Sequence, residues 1–290
     1  MLAGSPTSAL TTAVALDLER RGFIVYIITS TAEDEQHVRN HSRVDIMPLT
    51  LDLVYPEAAQ DQIGRFQHLL ERQHFFREFQ AGHRLSLSGV ILIPETQSEV
   101  GPLTDLSPDS WSTALNAKVI NIILTTQHLL PLVTQFKSRV MLLSPSIVPS
   151  LKPPHFAIQS TVSGALEGFT GSLAAELALS GIKFCHFKLG HLELPGNKHH
   201  SKIGQRRSKG TPMRSLHDAI FDALQAKRPW RTWHVGKGSL TYDIVGGWLP
   251  SNFVGWMMGL RRKSAEPEDA MLELEGSETS AQWEKVEQMY

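Results

Sequence analysis

Cysteine is nearly absent from this chain: Cys185 is the single one in 290 residues. One thiol excludes an intrachain disulfide framework and fits a reducing, intracellular compartment. An excess of one charge sign is missing too. Lys plus Arg number 28 and Asp plus Glu 29, a formal net charge of −1, so no global field favours nucleic acid. No apolar run reaches the ~18 residues of a membrane span, and the N-terminus carries no signal-peptide pattern. No repeat recurs at solenoid spacing. His199 and His200 are adjacent but have no Cys or carboxylate at ligand spacing, so no metal site is expected. What is present is an apolar fraction of 41%, enough for the core of one large α/β domain.

The stretch from Arg139 to Gly190 organises that domain. RVMLLSPS is a short apolar run bounded by Ser144, Pro145 and Ser146, as a buried strand would be. From Ala157 to Leu179 the apolar residues Ile158, Val162, Leu166, Phe169 and Leu173 recur at helical spacing, and Gly181 supplies a stop. Ile182–Leu189 reads as a second buried strand. Strand, crossover helix and strand make a parallel unit. The spacing predicts an α/β fold: a doubly wound parallel sheet with helices on both faces.

The same stretch resembles the short-chain dehydrogenase/reductase superfamily, a Rossmann-like fold. Its members carry a Ser at the end of this strand and a YxxxK pair opening this helix. The phrase ALEGFTGSLAAELALSGI fixes the register. Ser146 falls on the family Ser, but Gln159 stands at the Tyr position and Ser163 at the Lys position. Carbonyl reduction needs a proton donor beside the oxygen, and a phenol serves when a nearby ammonium lowers its pKa. A Gln amide and a Ser hydroxyl supply neither. Ser146 is then either a hydroxyl for a substrate carbonyl or a turn former.

The chain opens MLAGSPTSALTTAVALDLERRGFIVYIITS. Leu10, Val14 and Leu18 mark a helix and Phe23–Ile28 a strand. Against the superfamily loop TGxxxGxG, Ala3-Gly4 matches, Ser8 replaces the second Gly and Leu10 the third. Gly4, Ser5, Thr7 and Ser8 can hold a phosphate at a helix N-terminus, or simply cap the helix. Only Met1, Leu2 and Ala3 precede Gly4, so the first strand reads as truncated and upstream sequence as missing. The second strand ends Thr29-Ser30-Thr31 without the acid or Arg that binds a cofactor ribose or phosphate. Glu33 and Asp34 read as the start of the next helix.

Val44–Thr50 is the third strand, and Asp52 matches a residue that contacts adenine in the superfamily. Pro56–Arg77 reads as a helix with Ile63, Phe66, Leu69 and Leu70 inward, followed by an insertion, FFREFQAGHRLS. Leu87–Ile93 is the fourth strand, and Ile93-Pro94-Glu95-Thr96 replaces the superfamily's NNAG. Ser107 caps the next helix with Pro108 at its first position. In that helix Lys118 occupies the place of an Asn that holds the active-site Lys. It either restores an ammonium near the site or packs its stem and reaches solvent.

Lys198 to Arg214 is basic, Gly- and Ser-rich and without acids. It suits an anionic ligand or a solvated loop. Residues 247–263 are apolar and aromatic and end in Arg261-Arg262-Lys263, as a membrane-surface segment, lid or dimer contact would. The domain is expected over 1–263, with an acidic, disordered tail over 264–290. The phrases AGSPTS, ALDLERRGFIVYI, DIMPLTLDL and FKLGHLEL resemble the fungal domain-of-unknown-function 1776 family. That resemblance implies an oxidoreductase-like Rossmann fold with no established substrate.

These readings imply a catalytically degenerate member that binds a nucleotide or a protein partner. The alternative is an NAD(P)-dependent oxidoreductase with relocated acid–base groups. NAD(P) binding is expected to be weak or absent. A homodimer is expected through the helices near 108–133 and 157–179, whose apolar residues lie on more than one face. The expected location is cytoplasmic or peripheral on a membrane surface.

Overall fold

The computed structural model describes residues 1–74, 83–95, 98–194, 210–246 and 248. Residues 1–249 form one compact unit. The insertion at 75–82, Thr96, the basic run 198–209, the segment 249–263 and the acidic tail lie outside the described residues.

Seven strands form the main sheet: β1 (Leu2–Gly4), β2 (Val25–Thr29), β3 (Ile46–Thr50), β4 (Gly89–Ile93), β5 (Arg139–Pro145), β6 (Phe184–Leu189) and β7 (Thr232–Val235). Their order is β7-β6-β5-β4-β1-β2-β3, and every pairing is parallel. The expected doubly wound sheet is therefore present. β1 is central and three residues long, with Leu2 paired to Ile27 on one side and Ile91 on the other. Two short pairs lie apart from the sheet, Gln73–His74 with His83–Arg84 and Leu192–Glu193 with Thr211–Pro212.

Side chains alternate across the strands, so each strand feeds two cores. On one face Leu2, Ile27, Ile91, Met141 and Phe187 pack under α1 (Ala9–Arg20), α2 (Ala32–Asn40) and α8 (Met213–Gln225). On the other, Ala3, Ile28, Leu92, Leu142 and Phe184 pack under α3 (Pro56–Glu71), α4 (Pro108–Leu115), α5 (Asn121–Phe136) and α7 (Ala157–Leu179). Truncating one such buried side chain to Ala costs about 2–5 kcal/mol. Two more helices, α6 (Ile147–Leu151) and α9 (Ser239–Gly246), sit beyond the carboxyl ends of β5 and β7.

The 23 residues of α7 fall where the periodicity sets them, and Gly181 turns the chain out at φ +72°. Other bounds differ. The α3 helix stops at Glu71, because Arg72 is extended, and Leu69 is 38% exposed rather than inward. Val44 is outside β3 and 83% exposed. The expected single helix after Ser107 is two helices joined by a π turn, Asn116–Ile120. Pro108–Phe136 is long and apolar enough to cross a membrane by composition. Here it packs Ala114, Val119, Ile122, Leu129, Leu132 and Val133 into the core.

The apolar residues Leu166, Phe169 and Leu173 of α7, expected to supply a second apolar face for a dimer, turn to the core. Leu166 and Leu173 are buried at 3% and 5% exposure, and Phe169 packs against the same core. The outward face carries Thr161, Gly164, Ala165, Glu167, Gly168, Gly171, Ser172, Ala175 and Glu176 instead.

Candidate functional site

From β1 the chain winds outward to β2 and β3; from β4 it winds the other way to β5, β6 and β7. The crevice beyond the carboxyl ends of β1 and β4 is the switch point where such sheets bind ligands. A cavity of about 200 Å³ occupies it. The β1–α1 loop contributes Gly4, Ser5 and Pro6, the β4 end Pro94 and Glu95, and α5 Asn121 and Thr125.

Gly4 is explained by protein contacts. A Cβ there would lie 2.8 Å from the Cβ and carbonyl oxygen of Ile93, and 2.9 Å from Thr11 Oγ1. The Ser5 and Thr7 hydroxyls bond each other at 2.9 Å. Ser8 is the N-cap of α1 but makes no side-chain cap bond. Leu10, at the third glycine position, is buried in the α1 core. Asp52 builds the turn into α3. Its Oδ1 accepts the N–H groups of Val54 and Tyr55 at 2.9 and 3.1 Å, and its own N–H donates to Gln62 Oε1 at 2.9 Å.

Asp34 is the cleft residue that sequence reasoning missed. As expected it lies in the first turn of α2, where Thr31 Oγ1 accepts its N–H. That turn also brings it to the cavity wall beside Ser30. Asp34 and Glu95 are the charged residues of the wall, which holds no Lys, Arg or His among the described residues. A pyrophosphate there would meet two carboxylates, one of them, Glu95, attracted to the Lys118 ammonium outside the wall, and the volume is under the ~300–1,000 Å³ of usual cofactor pockets. Gly4, the one retained glycine, is already in close contact with the protein's own atoms.

At the catalytic position Ser146 is 1% exposed and turned inward. Its hydroxyl donates to the Leu189 carbonyl at 3.1 Å, and that oxygen also accepts the Ser146 N–H at 2.8 Å. Ser163 is buried at 7% exposure and Gln159 half-buried. Lys118 sits in the π turn at 5% exposure, its Nζ donating to Ser98 Oγ at 2.8 Å. Its head is thus not in solvent. Burial pushes its pKa down, while the Glu95 carboxylate pulls it up. Two other basic residues stand on the adjoining loop: Lys152 is exposed in a left-handed turn, and His155 is half-buried with φ 69°. Tyr242 packs against Gly238, Tyr26 stacks edge-on with Phe66, and Tyr55 is 67% exposed.

Below this position is a polar cluster that no spacing announced. Ser144, His186, Lys188 and His234 come from three neighbouring strands, at alternate residues that share the α7 face. Ser144 Oγ lies 2.7 Å from His186 Nε2. Lys188 Nζ bonds Asp243 of α9 at 2.6 Å and approaches Glu167 at 3.7 Å. Burial first, then the charges of Lys188 and His234, lower the His186 pKa to about 4, against the pull of Asp243. Ser239 donates to the Lys188 carbonyl, so the cluster binds α9 to the sheet. Among the described residues no group of His, Cys, Asp or Glu is arranged to hold a metal ion.

The profile of the fungal family of unknown function DUF1776 matches residues 1–206 and 197–255. The UPF0744 protein C106.03 of Schizosaccharomyces pombe is 28% identical over 260 residues, covering 88% of this chain and 68% of that protein. A short-chain dehydrogenase from Streptomyces avermitilis superposes with a TM-score of 0.61 at 17% identity, over 94% of this chain and 97% of its own. Serine dehydrogenase from Escherichia coli gives 0.58 at 11% identity, over 81% and 96%. A 3-ketoacyl-(acyl-carrier-protein) reductase from Brucella melitensis, complexed with NADH, gives 0.58 at 14% identity, over 81% and 93%. At these identities the structural likeness carries the fold: this is a short-chain-dehydrogenase-like Rossmann sheet.

Proposed function

This chain belongs to the fungal family of unknown function DUF1776, and from that membership and its site we propose a dehydrogenase-like protein without carbonyl-reductase chemistry that acts by binding a nucleotide or a protein partner. The observation that carries this reading is Ser146, whose hydroxyl is committed to the Leu189 carbonyl. Gln159 and Ser163 at the Tyr and Lys positions support it, since neither supplies a proton near neutral pH. NAD(P) then has weak or no affinity.

A second reading has one observation in its favour. Lys118 is an ammonium buried beside the cleft in a π turn, a geometry frequent at functional sites. In that reading Lys118 supplies the missing charge of an oxidoreductase. One assay separates the two: turnover of the purified full chain with NADH and NADPH across ketones and aldehydes. Background rates are expected. Turnover that Lys118→Ala abolishes establishes the second reading.

We also propose a second copy of the chain as partner, through the outward face of α7. A membrane surface remains a partner of the segment 247–263 in this reading, of which Trp248, 88% exposed, is the described residue. The buried thiol of Cys185 accords with an intracellular location.

A further inference from the structure

We propose that the outward face of α9, continued by Trp248, docks on an anionic phospholipid surface. The inference rests on the membrane partner proposed above for the segment 247–263 and assigns the contact to a helix of the fold. It is carried by polarity, charge and size.

α9 is amphipathic in the inverse sense. Its inward side is small or polar. Ser239 is 1% exposed and donates to the Lys188 carbonyl, and Asp243 meets Lys188 Nζ at 2.6 Å. Gly246 lies so close to α6 that a Cβ there would be 2.6 Å from the Ser150 carbonyl oxygen. The outward side carries Leu240, Thr241, Ile244 and Val245, with Leu240 53% and Ile244 60% exposed. Surface helices of globular proteins show the opposite order, apolar inward and polar outward. Trp248 follows, its backbone N–H bonded to the Val245 carbonyl at 2.9 Å, so the exposed indole stays with the end of the helix. One exposed apolar side chain is ordinary. Leu240, Ile244, Val245 and Trp248 together make a patch, and a patch marks a contact.

Charge selects the occupant. Asp243 is the acid of α9, and it is turned inward to Lys188, so α9 presents no carboxylate to lipid phosphates. α6 packs beside α9 and is capped by Lys152, which is exposed. In the sequence, Trp248 leads through Phe253, Trp256 and Leu260 to Arg261-Arg262-Lys263. Indole and aliphatic side chains beside cations suit a membrane interface, and each Lys or Arg adds attraction to anionic lipid.

Size points the same way. Eight residues make a helix about 12 Å long and 10 Å wide, well short of the ~800 Å² that each partner gives to a stable protein interface. A bilayer sets no such threshold, because it takes up apolar side chains one by one as their surface leaves water. A helix of this length lies along a bilayer and does not cross it.

The test is sedimentation of the full chain with vesicles of phosphatidylcholine alone and of phosphatidylcholine mixed with phosphatidylserine, with light scattering of the free protein alongside. Binding is expected, tighter by about fivefold or more with phosphatidylserine. Leu240→Gln with Ile244→Gln changes two exposed side chains and is expected to leave the Tm in place while cutting partitioning about tenfold or more. If that variant, folded by its thermal unfolding, binds as the unmutated chain does, the inference is overturned, and the membrane partner of the segment 247–263 stands without α9. Absence of binding to either vesicle overturns both. Equal binding with and without phosphatidylserine overturns the anionic surface. A dimer that the α9 variant dissociates, without vesicle binding, gives the face to a second copy and likewise overturns the inference.

Discussion

Ser146 and Leu189 are joined twice, the amide and the hydroxyl of Ser146 both donating to one carbonyl oxygen, at 2.8 and 3.1 Å. The bond pair ties the end of β5 to the end of β6, where a substrate-binding Ser would have to be free.

Because the amide bond remains, Ser146→Ala does not orphan the carbonyl. We expect it to cost about 0.5–1 kcal/mol, the low end for a hydrogen bond, and to leave ligand affinity unchanged. Urea unfolding and calorimetry check both. A large loss of affinity with intact stability would place Ser146 in the binding site.

Restoring the missing pair tests the cleft. Gln159→Tyr with Ser163→Lys is expected to give no NADPH-dependent turnover, because Asp34, Glu95 and the filled space beside Gly4 still oppose the dinucleotide. A folded double variant that reduces ketones with NADPH would contradict the charge argument directly.

Lys118 carries a buried charge with a neutral hydroxyl as its hydrogen-bond partner. Lys118→Met keeps the length and removes the desolvated charge. We expect it to be neutral or to stabilise by about 1 kcal/mol. A fall in the urea midpoint would show that the attraction of Glu95 outweighs the desolvation of the ammonium.

The His186 pKa, depressed to about 4 from 6.5, makes stability depend on pH. The unfolded chain binds the proton more readily, so the contribution is complete above about pH 6.5 and is lost as pH falls toward 4. The gap is worth about 3 kcal/mol at most. Thermal unfolding between pH 7 and 4 should show that loss, and His186→Gln should flatten it. An identical slope in the variant would assign the pH dependence to other groups.

The glycines on the outward face of α7 have no reason within one copy of the chain: a Cβ on Gly164, Gly168 or Gly171 meets nothing within 4 Å. Each costs a helix about 1 kcal/mol relative to Ala. Close approach of a second helix would repay that. Gly168→Glu is expected to turn a dimer into a monomer while raising helix stability, so dissociation cannot be mistaken for unfolding. Light scattering on the unmutated chain, showing a monomer throughout, would remove the proposed assembly.

Local periodicity was enough to determine the sheet and the α7 helix with its Gly181 stop, and the resemblance of that helix to the short-chain dehydrogenase superfamily set Gln159 and Ser163 at its Tyr and Lys positions. Those features depend on spacing along the chain, and spacing is written in the sequence. Asp34 was legible only as a helix-start acid, because its distance from Glu95 is set by the pairing of β2, β1 and β4. The π turn that carries Lys118 inward to Ser98 leaves no mark in a pattern of apolar residues. The cluster of Ser144, His186, Lys188 and Asp243 joins residues up to 99 positions apart in the chain; parallel register puts the first three side by side, and the packing of α9 brings Asp243 to Lys188. Which face of α7 meets the core was likewise decided by packing: Leu166 and Leu173 are apolar on any reading, but the sheet they cover is assembled from strands distant in sequence.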